Sequence, residues 1–100
     1  PEFILQSAID EIDEINEIDD ELMNLLGARM RVAERIGEYK KRNNISIFQP
    51  KRWSEILDKA TVKGNIHGLS EHFVTAFLKA IHDESINKQE EIMNEETVEH

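Results

Sequence analysis

A long apolar stripe near the start of the chain limits its fold more than any other feature. Ile9, Ile12, Ile15, Ile18, Leu22, Leu25, Leu26, Val32, Ala33 and Ile36 follow one another at spacings dominated by three and four, the repeat of one helical face. No proline interrupts the run, and Gly27 and Gly37 each cost only about 1 kcal/mol inside a helix. The spacing predicts a single helix from about Leu5 to Arg42. Acids crowd its first half and bases its second, which suits the helix dipole, and Asn43-Asn44 supplies a stop. Roughly 38 residues rising 1.5 Å each span about 57 Å, whereas a compact chain of this length has a radius of gyration of about 13 Å. The stripe therefore outruns any core that the chain builds alone and needs a partner along its length. A second copy is the simplest partner, and antiparallel pairing sets acidic first halves beside basic second halves. The alternative is a kink at Gly27 that folds the helix into a hairpin, which glycine alone seldom causes.

Two further helices follow. Ile45 to Phe48 has strand-like composition, but four residues without a partner strand read as an extended loop. Pro50 suits the first turn of a second helix with Gln49 near the N-cap. Trp53, Ile56, Leu57 and Ala60 share one of its faces, and Lys63-Gly64-Asn65 marks its end, with Gly64 at C′. Ser70 is placed to N-cap a third helix, after Leu69 as a hydrophobic staple. Phe73, Phe77, Ile81, Ile86, Ile92 and Met93 supply its apolar positions. The fold class is all-α, with three helices per chain and a very long first helix. One helical domain is expected over residues 5–94, with residues 1–4 and 95–100 as frayed ends.

Composition excludes several functions. The chain has no cysteine, so disulfide frameworks and thiolate metal sites are ruled out. No apolar run is long enough for a transmembrane helix or a signal peptide, which points to a cytoplasmic location. The chain begins with Pro1 rather than Met, as a piece excised from something longer would. A net charge of −9 argues against nucleic acid and anionic membranes as partners. That charge is uneven. Residues 1–28 hold nine acids and no base, residues 29–63 hold ten bases against four acids, a net of +6, and residues 64–100 hold two bases against eight acids. The basic middle either attracts a small anion or is a solvated cluster; charge alone does not choose.

Breaks in the stripes narrow the choice. Arg29 and Lys40 occupy stripe positions of the first helix, eleven residues or three turns apart. Cations on an inner face either pair with acids and snorkel, or await an anion. On the third helix, Phe73, Phe77 and Ile81 step by four, and the next steps are Ser85 and Gln89. Either the helix grows exposed there, or both polar groups find partners in the interior. Two cations and two neutral donors together favour an anion-binding pocket over four separate accidents, and Arg52 at the head of the second helix can add a third cation. His67, His72, His82 and His100 lack metal-ligand spacing and read as surface histidines. Trp53 reads as core or pocket wall. No glycine-rich phosphate loop and no nucleophile motif is present.

These residues resemble the all-α class of chorismate mutases over roughly Ile9 to Glu90. Ile18-Asp19-Asp20-Glu21-Leu22-Met23-Asn24-Leu25-Leu26-Gly27-Ala28-Arg29 looks like the family's opening helix. Arg35-Ile36-Gly37-Glu38-Tyr39-Lys40 looks like its next motif, Arg52 falls at the arginine heading the second helix, and Asp83-Glu84-Ser85 followed by Gln89 looks like the closing motif. The resemblance implies two chains intertwined through the first helix as a homodimer. It also implies a Claisen rearrangement of chorismate to prephenate without cofactor, metal, nucleophile or proton transfer. Lys40 and Gln89 are then expected to donate to the ether oxygen, Arg29 and Arg52 to bind carboxylates, and Ser85 to support substrate binding. The family also occurs fused to other shikimate-pathway enzymes, such as DAHP synthase or prephenate dehydratase, so a fused or associated domain of that kind is an expected partner.

Three positions depart from the family pattern. Ile12 stands where an arginine usually reaches into the partner's site, leaving carboxylate binding weaker or served by another cation such as Lys51. Gln49 stands where an acid often precedes the second helix, and Trp53 where an acid often follows its arginine. Contacts to the substrate's ring hydroxyl differ accordingly, with Gln49 a substrate-binding candidate. These departures keep two other readings open: an isochorismate-pyruvate lyase of the same fold, and a non-catalytic module that binds a metabolite of the aromatic pathway for regulation.

Overall fold

A computed structural model describes residues 2–95. It contains three helices, α1 (Glu2–Asn43), α2 (Pro50–Ile66) and α3 (Glu71–Met93), and no strand among the described residues. Pro1 and residues 96–100, with His100 and most of the expected C-terminal frayed end, lie outside the described residues. α1 starts three residues ahead of the expected Leu5 and is helical through both Gly27 and Gly37, so no hairpin forms there. It stops where the asparagine pair predicts. Asn44 takes a left-handed φ of 53°, a conformation that asparagine tolerates better than most residues, and the Ile45 N–H donates back to the Lys40 carbonyl at 2.9 Å. Among the described residues no helix is long and apolar enough to cross a membrane.

The chain divides after Arg31 into two compact units. The first consists of α1 alone, and its stripe is uncovered within the chain: Ile12, Ile15 and Ile18 are 56%, 57% and 56% exposed. The second unit holds the rest of α1, α2 and α3, with α2 packed on α3. Its apolar core is small, made of Ala33, Val74 and Ile81, and among the described residues no large side chain is completely buried. Trp53, Ile56, Leu57 and Ala60 are each partly buried, as the expected inner face of α2. Residues 44–49 form the loop between α1 and α2 without pairing as a strand.

The helix ends show how local chemistry positions these elements. Pro50 occupies the first turn of α2 after Gln49, whose extended backbone begins the helix without a side-chain cap. The Ser70 hydroxyl accepts from the Phe73 N–H at 3.2 Å and caps α3 as expected. Gly64 departs from expectation. It lies inside α2 and is buried, and the C′ role falls to Gly68, whose φ is +76°. The Leu69 N–H donates to the Gly64 carbonyl at 2.8 Å and the Gly68 N–H to the Asn65 carbonyl at 3.1 Å, the paired bonds of a Schellman ending. Gly64 serves packing instead, since a Cβ there would run into Val74 Cγ2. Overpacking of this kind costs about 1–3 kcal/mol, against up to about 1 kcal/mol gained in helix propensity. Gly64→Ala is therefore expected to destabilise the fold by about 1–2 kcal/mol in urea unfolding. Val74→Ala should cost less in that background than in the parent, and additive losses would mean that the two residues do not collide.

Candidate functional site

The polar breaks in the helical stripes converge in the second unit. Lys40 lies on the last turn of α1 and is only partly exposed. Its Nζ donates to the Gln89 Oε1 at 3.0 Å and to the Ile47 carbonyl at 2.9 Å. Both acceptors are neutral, and among the described residues Lys40 forms no ion pair. Its positive charge is held in place but not cancelled. Burial lowers the pKa of Lys40 from its ordinary value, and the nearby Arg52 guanidinium lowers it further. Both causes disfavour the ammonium, and an anion at the site would oppose both.

Gln89 and Ser85 lie one turn apart on α3, and each is only 6% exposed. The reading in which α3 simply grows exposed at these positions is thereby corrected: the Phe77–Ile81 stripe continues inward with polar groups. Lys40 engages the amide oxygen of Gln89, which directs its donor nitrogen elsewhere. A close approach of the two helices permits this contact. A Cβ on Gly37, one turn before Lys40, would lie 3.0 Å from the Gln89 Cα.

The loop between α1 and α2 closes the arrangement. Val32, Arg35, Ile36, Tyr39, Lys40, Ile45 and Gln49 line a concavity of about 410 Å³. A second one, bounded by Phe48, Gln49, Pro50, Lys51, Arg52 and Glu55, shares Gln49 with the first. Gln49 and Arg52 are both exposed. The second unit thus brings together Lys40, Gln89, Gln49 and Arg52 with the buried Ser85. Arg29 belongs to the first unit, where it is exposed.

One group near this loop escaped the sequence. His82, expected on the surface, is partly buried against the Trp53 ring at a centroid distance of 4.2 Å, with Phe48 edge-on at 5.8 Å. The three rings tie the loop, α2 and α3 together beside Gln49. Trp53, expected as core or pocket wall, is half-buried in this ring cluster and lines neither of the two concavities. The signal that could have found His82 is its step of four from both Leu78 and Ile86, each partly buried on α3.

Comparison with known proteins identifies the family. A model of the family described as chorismate mutase type II matches residues 6–90. A bifunctional chorismate mutase/prephenate dehydratase of Buchnera aphidicola subsp. Schizaphis graminum is 32% identical over 81 residues, covering 81% of this chain and 21% of that protein. A protein of the same description from Aquifex aeolicus is 46% identical over 46 residues, 46% of this chain and 13% of its own length. A 4-amino-4-deoxychorismate mutase of Streptomyces venezuelae is 28% identical over 85 residues, 85% of this chain and 82% of its own. The chain therefore spans about a fifth or less of the bifunctional relatives that it matches. No solved structure matches the chain.

The electrostatics of Lys40 are open to direct measurement. Its side chain, followed by NMR at Cε, is expected to lose its proton below the 10.5 of an ordinary lysine. Arg52→Gln should raise that value without restoring it, because burial is the larger cause. An ordinary titration in the parent would remove the picture of a desolvated ammonium.

Proposed function

This chain belongs to the chorismate mutase type II family, and on that premise we propose that it catalyses the rearrangement of chorismate to prephenate. One observation carries the reading: a partly buried ammonium, Lys40, is held by two neutral oxygens beside the buried amide of Gln89. The rearrangement breaks one C–O bond and forms one C–C bond within a single molecule, so no co-reactant is needed. Its demands are a folded conformer of the substrate and stabilisation of the negative charge that grows on the ether oxygen. Lys40 supplies a full positive charge for that oxygen, and Gln89 a neutral N–H that donates at any ordinary pH. Arg52 binds a carboxylate of the dianion, Gln49 faces the ring substituent, and Ser85 braces the pocket from within α3. Arg29 joins as a carboxylate ligand on the family resemblance alone.

The working form is a homodimer intertwined through α1. The uncovered stripe of the first unit supports this, since isoleucines more than half exposed along a helix need an apolar partner. A second copy laid antiparallel also sets the nine acids of residues 1–28 beside the basic stretch that follows. A fused or associated enzyme of the same pathway is the further partner that the bifunctional relatives suggest.

An assay of chorismate consumption with product identification tests the activity. Prephenate is expected. Salicylate with pyruvate from isochorismate would replace the reading with a lyase, and tight binding without turnover would replace it with a regulatory module. Offering 4-amino-4-deoxychorismate alongside asks whether the ring substituent that Gln49 faces matters. Lys40→Ala is expected to lower kcat by roughly ten- to 150-fold, with a smaller effect on KM. A charge-assisted bond made mainly in the transition state is worth about 1.5–3 kcal/mol, or roughly ten- to 150-fold in rate. Gln89→Glu should be poor at neutral pH, where its carboxylate repels the growing charge, and should gain activity as pH falls and the acid form donates. A flat profile at parental activity would remove Gln89 from the ether oxygen. Sedimentation over a dilution series is expected to show a dimer with no stable folded monomer; a compact helical monomer at every concentration would end the intertwined arrangement.

A further inference from the structure

Gly37 is buried on α1, one turn before Lys40. A Cβ placed there would stand 3.0 Å from the Gln89 Cα, 3.3 Å from the Gln89 carbonyl oxygen and 3.4 Å from the Gln89 Cβ. The two closest atoms are backbone within a helix. They cannot rotate aside as the end of a flexible side chain can, so room for a Cβ is made only by moving α3 away from α1, by a few tenths of an ångström. Such a shift falls on the contact one turn further along. Lys40 Nζ and Gln89 Oε1 are 3.0 Å apart, and lengthening that bond by a few tenths of an ångström takes it to the weak end of the hydrogen-bond range. Lys40 is also held by the Ile47 carbonyl of the loop, so it cannot follow α3 freely.

We propose that Gly37 is a positioning residue for the reaction: its missing side chain lets the Gln89 backbone seat directly against α1, which sets the separation of the Lys40 ammonium and the Gln89 amide. The proposal rests on the reading of those two groups as the donors to the ether oxygen. The other glycines provide the contrast. At Gly64 a Cβ meets Val74 and Leu69 side-chain atoms, with neither member of the donor pair nearby, and at Gly27 it meets only the end of the Arg31 side chain. The three atoms nearest a Cβ at Gly37 all belong to Gln89, a residue of the proposed site.

The test sets Gly37→Ala beside Gly64→Ala, measuring kcat, KM, thermal stability and the NMR titration of Lys40 in each. Alanine is the better helix former, so Gly37→Ala is expected to fold as the parent does. Its kcat should fall by roughly 3- to 30-fold, because a displacement of about 1 Å can cost on the order of 100-fold. KM should change much less. Opening the α1–α3 contact should admit water to Lys40, so its titration should move up toward that of an ordinary lysine. Gly64→Ala should lose stability while keeping the parental kcat and the parental Lys40 titration. A parental kcat in Gly37→Ala, or losses in both variants that simply track their stability, would reduce Gly37 to a packing residue. If the parent itself turns over none of the substrates, the activity reading falls, and the Lys40 titration in the two variants still decides whether Gly37 positions the pair.

Discussion

The arrangement of the second unit depends on how a lysine charge is kept inside it. Lys40 donates to a side-chain amide on α3 and to a backbone carbonyl in the loop, so a single nitrogen ties together three parts of the chain. Neutral oxygens orient an ammonium but leave its charge in place. Burial and the Arg52 guanidinium both act against that charge, so the site is electrostatically incomplete until an anion arrives. Under the proposed function, this is how a chain of net charge −9 would receive a dianionic substrate. The long-range field of the acids is screened within about 10 Å at ordinary ionic strength, whereas the local cations are concentrated in the middle third of the chain.

That incompleteness fits the chemistry proposed for the site. A unimolecular rearrangement offers no proton to move and no nucleophile to activate, which leaves positioning and preorganised charge as the means of catalysis. The buried Gln89 and Ser85 and the ring cluster of Phe48, Trp53 and His82 are rigid supports of the sort that preorganisation requires. Gly37 belongs with them, since a Cβ there would push against the Gln89 backbone by a few tenths of an ångström.

Stability is organised differently. Among the described residues, the second unit buries only Ala33, Val74 and Ile81 of its apolar side chains, and the first unit has no second element to cover its isoleucines. A core so small cannot offset the conformational entropy of ordering about a hundred residues. The association proposed along α1 would offset this, and folding and assembly would then be a single process.

The sequence by itself determined the elements and marked candidate residues for the site. Spacings of three and four drew α1, the Asn43-Asn44 stop, Pro50 and Ser70 set helix ends, and polar residues on apolar stripes singled out Lys40, Ser85 and Gln89, because all of these are local patterns with a fixed period. Contacts between elements lay beyond it. Gly64 carries the composition of a helix stop, and only the presence of Val74 across the α2–α3 contact makes it an interior packing residue. His82 resembles any surface histidine until Trp53 is laid on its ring. Lys40 and Gln89 are 49 residues apart, and no periodicity encodes their meeting. The tertiary structure alone decided that the amide and a loop carbonyl, rather than a carboxylate, hold the ammonium, because helix spacing depends on side chains that are absent, as at Gly37, as much as on those present.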